Sequence, residues 1–286
     1  MIWFLLCLSI ETEASQSTYT SALSISGQSN IINCMFLYCR NSGDGGAISG
    51  SGTSVTIDGC LFNGCYSGSW GGNIYLSSFA NLTIIKTCML NFSNNAAKAG
   101  KSNVVFNGNE IVMDLTTVHS SFASPSYEIF CHQAKTTIYT NLNLSRLVSS
   151  TRGGIILAYS SNTNFVGKNI HFAHNKNNYM IFNEIGTSHT ITQNNLINNT
   201  VTYLFYITRT NVITNCYFYD NKGTVSTAQS TLTDCFYDIP TGSMMYLYNT
   251  YLCQNPYTFP PRASADTRIR FSARTYVIFV LGSILQ

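Results

Sequence analysis

Cysteine is the residue whose spacing in this chain most invites a chemical reading. Cys34 and Cys39 have four residues between them, as do Cys60 and Cys65. No pair of the ten cysteines has the two-residue gap of a zinc knuckle or a thioredoxin-type redox motif. The two pairs recur 26 residues apart, and Cys88 follows 28 residues after Cys60. They therefore read as repeat positions. If the repeats stack at ~4.8 Å, Cys34, Cys60 and Cys88 form one column, and Cys39 and Cys65 another. That distance lies within disulfide reach, although directly stacked Cβ atoms are too far apart for ideal bonding. The alternative is a ladder of buried thiols acting as small hydrophobes.

Other chemistry-bearing residues are scattered. Glycoside hydrolysis needs two carboxylates flanking one bond. Only twelve acids are present, and Asp220 with Asp234 or Asp238 is the one set that successive repeats bring near each other. Asp at such corners also serves turn chemistry. His119, His132, His171, His174 and His189 have no metal-ligand spacing, and His171 with His174 reads as a solvent-facing corner pair. Trp70, Tyr38, Tyr66, Tyr75, Tyr217 and Tyr219 could present an aromatic binding surface or stack as structural ladders. No phosphate loop, nucleophile elbow or zinc helix is present, so the sequence implies no catalytic residue, metal site or cofactor.

Repeats must position all of these groups. One apolar anchor recurs at Phe36, Phe62, Leu90, Val118, Leu144, Phe172, Leu196, Phe218 and Phe236, in steps of 18 to 28 residues. Two positions earlier lie Cys34, Cys60, Cys88 and Cys216, on the same strand face as the anchor. Five positions earlier lie Ile31, Ile57, Met113, Ile191 and Ile213. This odd offset predicts a bend between two short strands. Three positions later lie Asn175, Asn199 and Asn221, a residue type that tolerates left-handed corners. Gly pairs precede a second apolar patch in three repeats, where positive φ permits a tight turn. No stretch shows helical periodicity with caps, and the steps are too short for propeller blades. The expected fold is all-β: a parallel β-helix of about nine coils over residues 28–253. Ile57, Cys60, Phe62, Ile74, Phe172, Ile181, Leu196 and Phe218 are expected to point inward.

Gly45-Gly46-Ala47-Ile48, Gly71-Gly72-Asn73-Ile74 and Gly153-Gly154-Ile155-Ile156 carry half of a motif, and Phe172-Ala173-His174-Asn175 and Phe218-Tyr219-Asp220-Asn221 the other half. This pattern resembles the repeats of the polymorphic outer membrane proteins of bacterial pathogens, and related β-helix surface proteins of parasitic protists. The protist type is the better likeness, since no autotransporter barrel follows the repeats. The resemblance implies a right-handed, pectin-lyase-like helix displayed at a cell surface, with adhesion as its role.

The ends and the composition bear on compartment. Met1 to Ile10 is apolar and reads as a secretory signal ending near Ala14, or else as a buried first strand. Sequons stand at Asn81, Asn91, Asn143 and Asn198. Residues 254–286 hold four arginines and an apolar run too short to span a bilayer, so this tail reads as an anchor signal, a truncated membrane segment or a cap on the helix end. Charged residues are 9% and net charge is +3, which offers no nucleic-acid surface. The expectation is an extracellular or cell-surface glycoprotein that binds host or cell-surface glycans or proteins without catalysis. The alternatives are a carbohydrate-active enzyme on the same scaffold and a structural shell.

Overall fold

The computed structural model describes residues 17–90, 104–119, 122–123, 129–132, 134–149, 154–159, 164–183, 188–207, 211–226 and 230–237. The described residues contain 28 strands and no helix. Every strand pairing among the described residues is parallel, for example Phe36 opposite Phe62 and Phe172 opposite Leu196. The chain is a β-solenoid, all-β as its repeats require.

Two large sheets form most of the wall, and Arg40–Asn41 with Tyr66–Ser67 and Phe122–Ala123 with Val148–Ser149 make two short two-stranded sheets. The narrower large sheet has ten strands, from Ser17–Tyr19 through Cys34–Leu37, Leu61–Asn63 and Cys88–Leu90 to Phe236–Tyr237. That is one rung more than the nine repeats, because Tyr19 stacks on Phe36 ahead of the first anchor. The wider sheet has 14 strands. Its early rungs are single long strands, such as Ile48–Asp58 and Ile74–Ile85. Beyond Val104–Asp114 each rung divides into two arms, beginning with Ile129–His132 and Thr136–Thr140, both paired to that strand.

The bend is a column of left-handed residues three positions before each anchor. Asn33, Gly59, Lys86, Leu115, Asn141, Asn169, Gln193, Asn215 and Asp234 all have φ between 47° and 62°. A second left-handed column stands two positions after the anchor at Tyr38, Gly64, Arg146, His174, Asn198 and Asp220. The corner is thus one residue earlier than Asn175, Asn199 and Asn221 suggest. Those asparagines point inward instead.

The eight expected core residues are all buried: Ile57, Cys60, Phe62, Ile74, Phe172, Ile181, Leu196 and Phe218. Aromatic rings stack up the axis at the first rungs. Tyr19 lies 4.9 Å from Phe36, and Phe36 lies 4.8 Å from Phe62, the latter pair within 5° of parallel. Two anchors shift by one. Met89, not Leu90, continues the column above Phe62, and Tyr237, not Phe236, lies opposite Phe218. The outward face of the narrow sheet is also withdrawn from solvent at Leu61, Cys88 and Leu90, which form a small apolar cluster of their own. Strands buried on both faces lose their alternation, so a one-residue slip there has no hydropathic signature.

The Gly-Gly pairs have divided roles. Gly45 and Gly71 adopt φ of 70° and 68°. Gly46 does not; a Cβ there would overlap the Gly72 carbonyl oxygen of the next coil and lie 2.6 Å from Tyr66 backbone atoms. The second glycine therefore permits close coil approach rather than a turn. Gly46→Ala is expected to cost about 1–3 kcal/mol, because a rigid backbone must move. Chemical denaturation would show the shift, and an unchanged midpoint would contradict this packing.

Candidate functional site

Cys34 and Cys60 occupy one inward column on neighbouring rungs. The Cys34 amide donates to Cys60 Sγ at 3.5 Å, and Cys60 Sγ donates to the Ile31 carbonyl at 3.4 Å. Cys39 and Cys65 stack likewise beyond the anchor, with Cys65 Sγ donating to the Phe36 carbonyl at 3.4 Å. All four are free thiols. Burial pushes the Cys60 thiol up to about 12. Cys88 leaves this ladder: it lies opposite Leu61, faces outward into the small apolar cluster, and is disulfide-bonded. The slip from Leu90 to Met89 explains the change, since the inward position on that rung belongs to Thr87, which is fully buried.

The corrected register also reveals a third thiol pair. Two positions before Phe218 and Tyr237 stand Cys216 and Cys235. An anchor at Phe236 puts Asp234 in that column and hides the pair.

The narrow sheet's outward face carries buried and half-buried polar side chains. His119 Nδ1 lies 2.8 Å from Ser145 Oγ on the next rung. Burial, then the neighbouring Arg146, lowers the His119 pKa, so the ring is neutral near pH 7. A hydroxyl bonded to a neutral imidazole is the minimal arrangement of a nucleophile and its base. Ser145 is itself buried, however, at 8% exposure. His119 and Ser145 each directly follow an anchor, Val118 or Leu144, so the 26-residue step stacks them, but two unlike residues on one pair of rungs form no repeated column to draw attention.

His171 departs from expectation. It is buried between Asn143 and Asn195 on the rungs either side, whereas His174 is exposed at the left-handed corner. Its Nδ1 has no hydrogen-bond partner. Burial, and secondarily His174, pushes its pKa down to about 4. The unfolded ring titrates near 6.5. The associated stability is therefore complete above about pH 6.5 and lost as pH falls towards 4, where only the unfolded state takes up the proton. The urea midpoint is expected to fall between pH 7 and pH 5, and less steeply in His171→Asn. Equal slopes in both proteins would refute the assignment. His189 is also buried, and the side chain of His132 lies outside the described residues.

Among the described residues the carboxylates do not converge. Asp220 lies in one left-handed column and Asp234 in the other, on opposite sides of the short strand, roughly 15 Å apart at strand geometry. Asp238 lies outside the described residues. Asp114 Oδ1 accepts hydrogen bonds from Thr140 Oγ1 at 2.7 Å and Asn141 Nδ2 at 2.8 Å. Asp44 Oδ1 accepts from the Trp70 amide at 2.9 Å. These acids hold corners together. Among the described residues no three His, Cys, Asp or Glu side chains form a metal-sized group.

Aromatic side chains do gather outside the core. Tyr179 and Tyr203 pair across adjacent rungs with centroids 6.2 Å apart, and Tyr206 packs against them at 5.1 and 5.6 Å. All three are partly exposed. Tyr203 and Tyr206 share the strand Thr200–Ile207, and Tyr179 lies on the rung before it. Tyr217 and Tyr219 stack on one strand at 6.4 Å, while Tyr38 and Trp70 are exposed and Tyr66 and Tyr75 are half-buried.

Of the sequons, Asn81 is exposed on a strand and Asn198 at a left-handed corner. Asn143 has its amide oxygen buried. Asn91, the leader 1–14 and the tail 254–286 lie outside the described residues. Among the described residues no helix is long and apolar enough to cross a membrane. No protein-family model, curated protein or solved structure matches the chain.

Proposed function

We propose that this is an exported or surface-held β-solenoid that binds a glycan or protein partner on a host or neighbouring cell and performs no bond cleavage. The observation that carries this reading is the cluster of Tyr179, Tyr203 and Tyr206 on the outside of the wide sheet. Tyrosine offers a flat apolar ring for sugar C–H groups and a hydroxyl for their oxygens. Exposed Thr200, Thr202 and Thr224 stand on the same and next strands and add hydrogen-bonding groups. The fold alone does not choose, since one scaffold hosts many functions. The corner-bound carboxylates Asp44 and Asp114 favour binding over the carbohydrate-active alternative. The surface-protein resemblance of the repeats points the same way.

A glycan array and a cell-binding assay on the purified protein test the proposal. Saturable binding is expected, weakened about tenfold or more in Tyr203→Ala and Tyr206→Ala, in line with the loss of one or two aromatic contacts. Expressed through a secretory route, the protein is expected to carry glycans on Asn81 and Asn198 and not on Asn143. Reducing-sugar release that disappears in Asp220→Asn would favour the enzyme reading instead.

A further inference from the structure

The rung that ends the described solenoid is joined to its neighbour by a pair of thiols in register. Tyr217 and Phe236 are paired residues, and the Phe236 amide donates to the Cys216 carbonyl at 2.9 Å, so Cys216 and Cys235 stack directly. Cys216 Sγ donates to the Thr214 carbonyl at 3.3 Å, and Cys235 Sγ to the Ile213 carbonyl at 3.5 Å. Both are free, and each immediately follows a left-handed corner residue, Asn215 or Asp234.

Two features separate this pair from Cys34/Cys60 and Cys39/Cys65. Cys235 is partly exposed, whereas Cys39, Cys60 and Cys65 are fully buried. The Cys235 rung pairs on only one side among the described residues, while the others are held between two rungs. A stacked parallel pair must bring its Cβ atoms from ~4.8 Å to about 3.8 Å to form a disulfide, and a rung bonded on one side can make that shift. The two thiols also differ in acidity, in the same sense as Cys39 and Cys65. The hydrogen bond from Cys216 lowers the Cys235 pKa, burial opposing it, while the same bond and burial raise that of Cys216.

We infer that Cys216 and Cys235 are a modification site, a thiol pair that low-molecular-weight disulfides oxidise to a cross-rung disulfide stapling the last described coil. The Cys235 thiolate attacks one sulfur of the small disulfide, whose S–S bond breaks and releases one small thiolate. The Cys216 thiol then loses its proton and attacks the Cys235 sulfur of the mixed disulfide. The intramolecular S–S bond forms as the second small thiolate leaves. The protein gives up two protons and two electrons, and the small disulfide becomes two thiols.

The test is peptide mapping of the full chain after incubation with oxidised glutathione, followed by trapping of the remaining thiols. Tryptic peptides 210–222 and 223–262 are expected to appear linked, with a mass about 2 Da below their sum. The second peptide also contains Cys253. The link is therefore expected to survive Cys253→Ser and to vanish in Cys235→Ser. In untreated native protein, iodoacetamide is expected to modify Cys235 at least about tenfold faster than Cys39 or Cys65, a comparison that needs no variant to fold. A link that depends on Cys253, or no link while Cys39 and Cys65 oxidise, would overturn the inference.

Discussion

Asn199→Leu is expected to lower stability by about 3–5 kcal/mol, although it adds apolar surface to the interior. Asn175, Asn199 and Asn221 form a ladder along the solenoid axis. Asn199 Oδ1 accepts from the Asn175 backbone amide and from Asn175 Nδ2, each at 3.0 Å. Its own Nδ2 donates to the Phe172 carbonyl at 3.0 Å and to Asn221 Oδ1 at 2.8 Å. Leucine removes the side-chain partners of the Asn175 amide and the Phe172 carbonyl, and one of the two acceptors of Asn175 Nδ2, which keeps the Leu144 carbonyl at 2.9 Å. These groups are buried, and each left unsatisfied costs about 1–3 kcal/mol. Partial relaxation keeps the total below the sum. Urea denaturation followed by far-UV circular dichroism measures the loss. Thr202→Ala, exposed on the same coil, is expected to change stability by less than about 0.5 kcal/mol. Similar effects from both variants would show that the ladder bonds carry no net stability.

That ladder marks where sequence reading succeeds and where it stops. The column of asparagines is visible as a repeat, and its inward strand face gives the solenoid. Its role is not visible, because asparagine serves left-handed corners as readily as buried ladders. The true corner column includes Tyr38 and Arg146, and the bend column before the anchor includes Lys86, Leu115 and Gln193, residues with no preference for positive φ. There the coil geometry overrides the local preference, and only coordinates reveal it. Register is lost for a related reason. Cys88, Met89 and Leu90 are all buried, so hydropathy does not say which one continues the Phe62 column. Phe236 and Tyr237 are both aromatic and pose the same ambiguity. Each slip moves a cysteine: one removes Cys88 from the inner ladder, and the other brings Cys235 beneath Cys216. The His119–Ser145 contact and the Tyr179–Tyr203 pair do follow the 26- and 24-residue steps between anchors, but a single pair on the outer face forms no repeated column and so does not stand out in the sequence.

Phe62→Ala is expected to cost about 3–5 kcal/mol, with an effect confined to one end of the array. Phe62 is fully buried, and its ring stacks on Phe36 at 4.8 Å and 5°. The rungs on either side are fixed by backbone bonds near 4.8 Å, so neighbouring side chains cannot collapse into the vacated space. The cavity penalty therefore adds to the lost transfer energy, towards the upper part of the usual range. A solenoid's stability is approximately a sum of coil terms and nearest-neighbour interfaces. Weakening one interface near the first rungs should thus free the coils around Cys34–Leu37 before those around Tyr217–Tyr219. Native-state hydrogen exchange reads this directly. Amides of Cys34–Leu37 and Leu61–Asn63 are expected to exchange on the order of a hundredfold faster or more, given a local loss near 3 kcal/mol, while those of Asn195–Ile197 keep wild-type protection. Equal acceleration along the whole array would mean that the coils unfold as one unit, against the nearest-neighbour description.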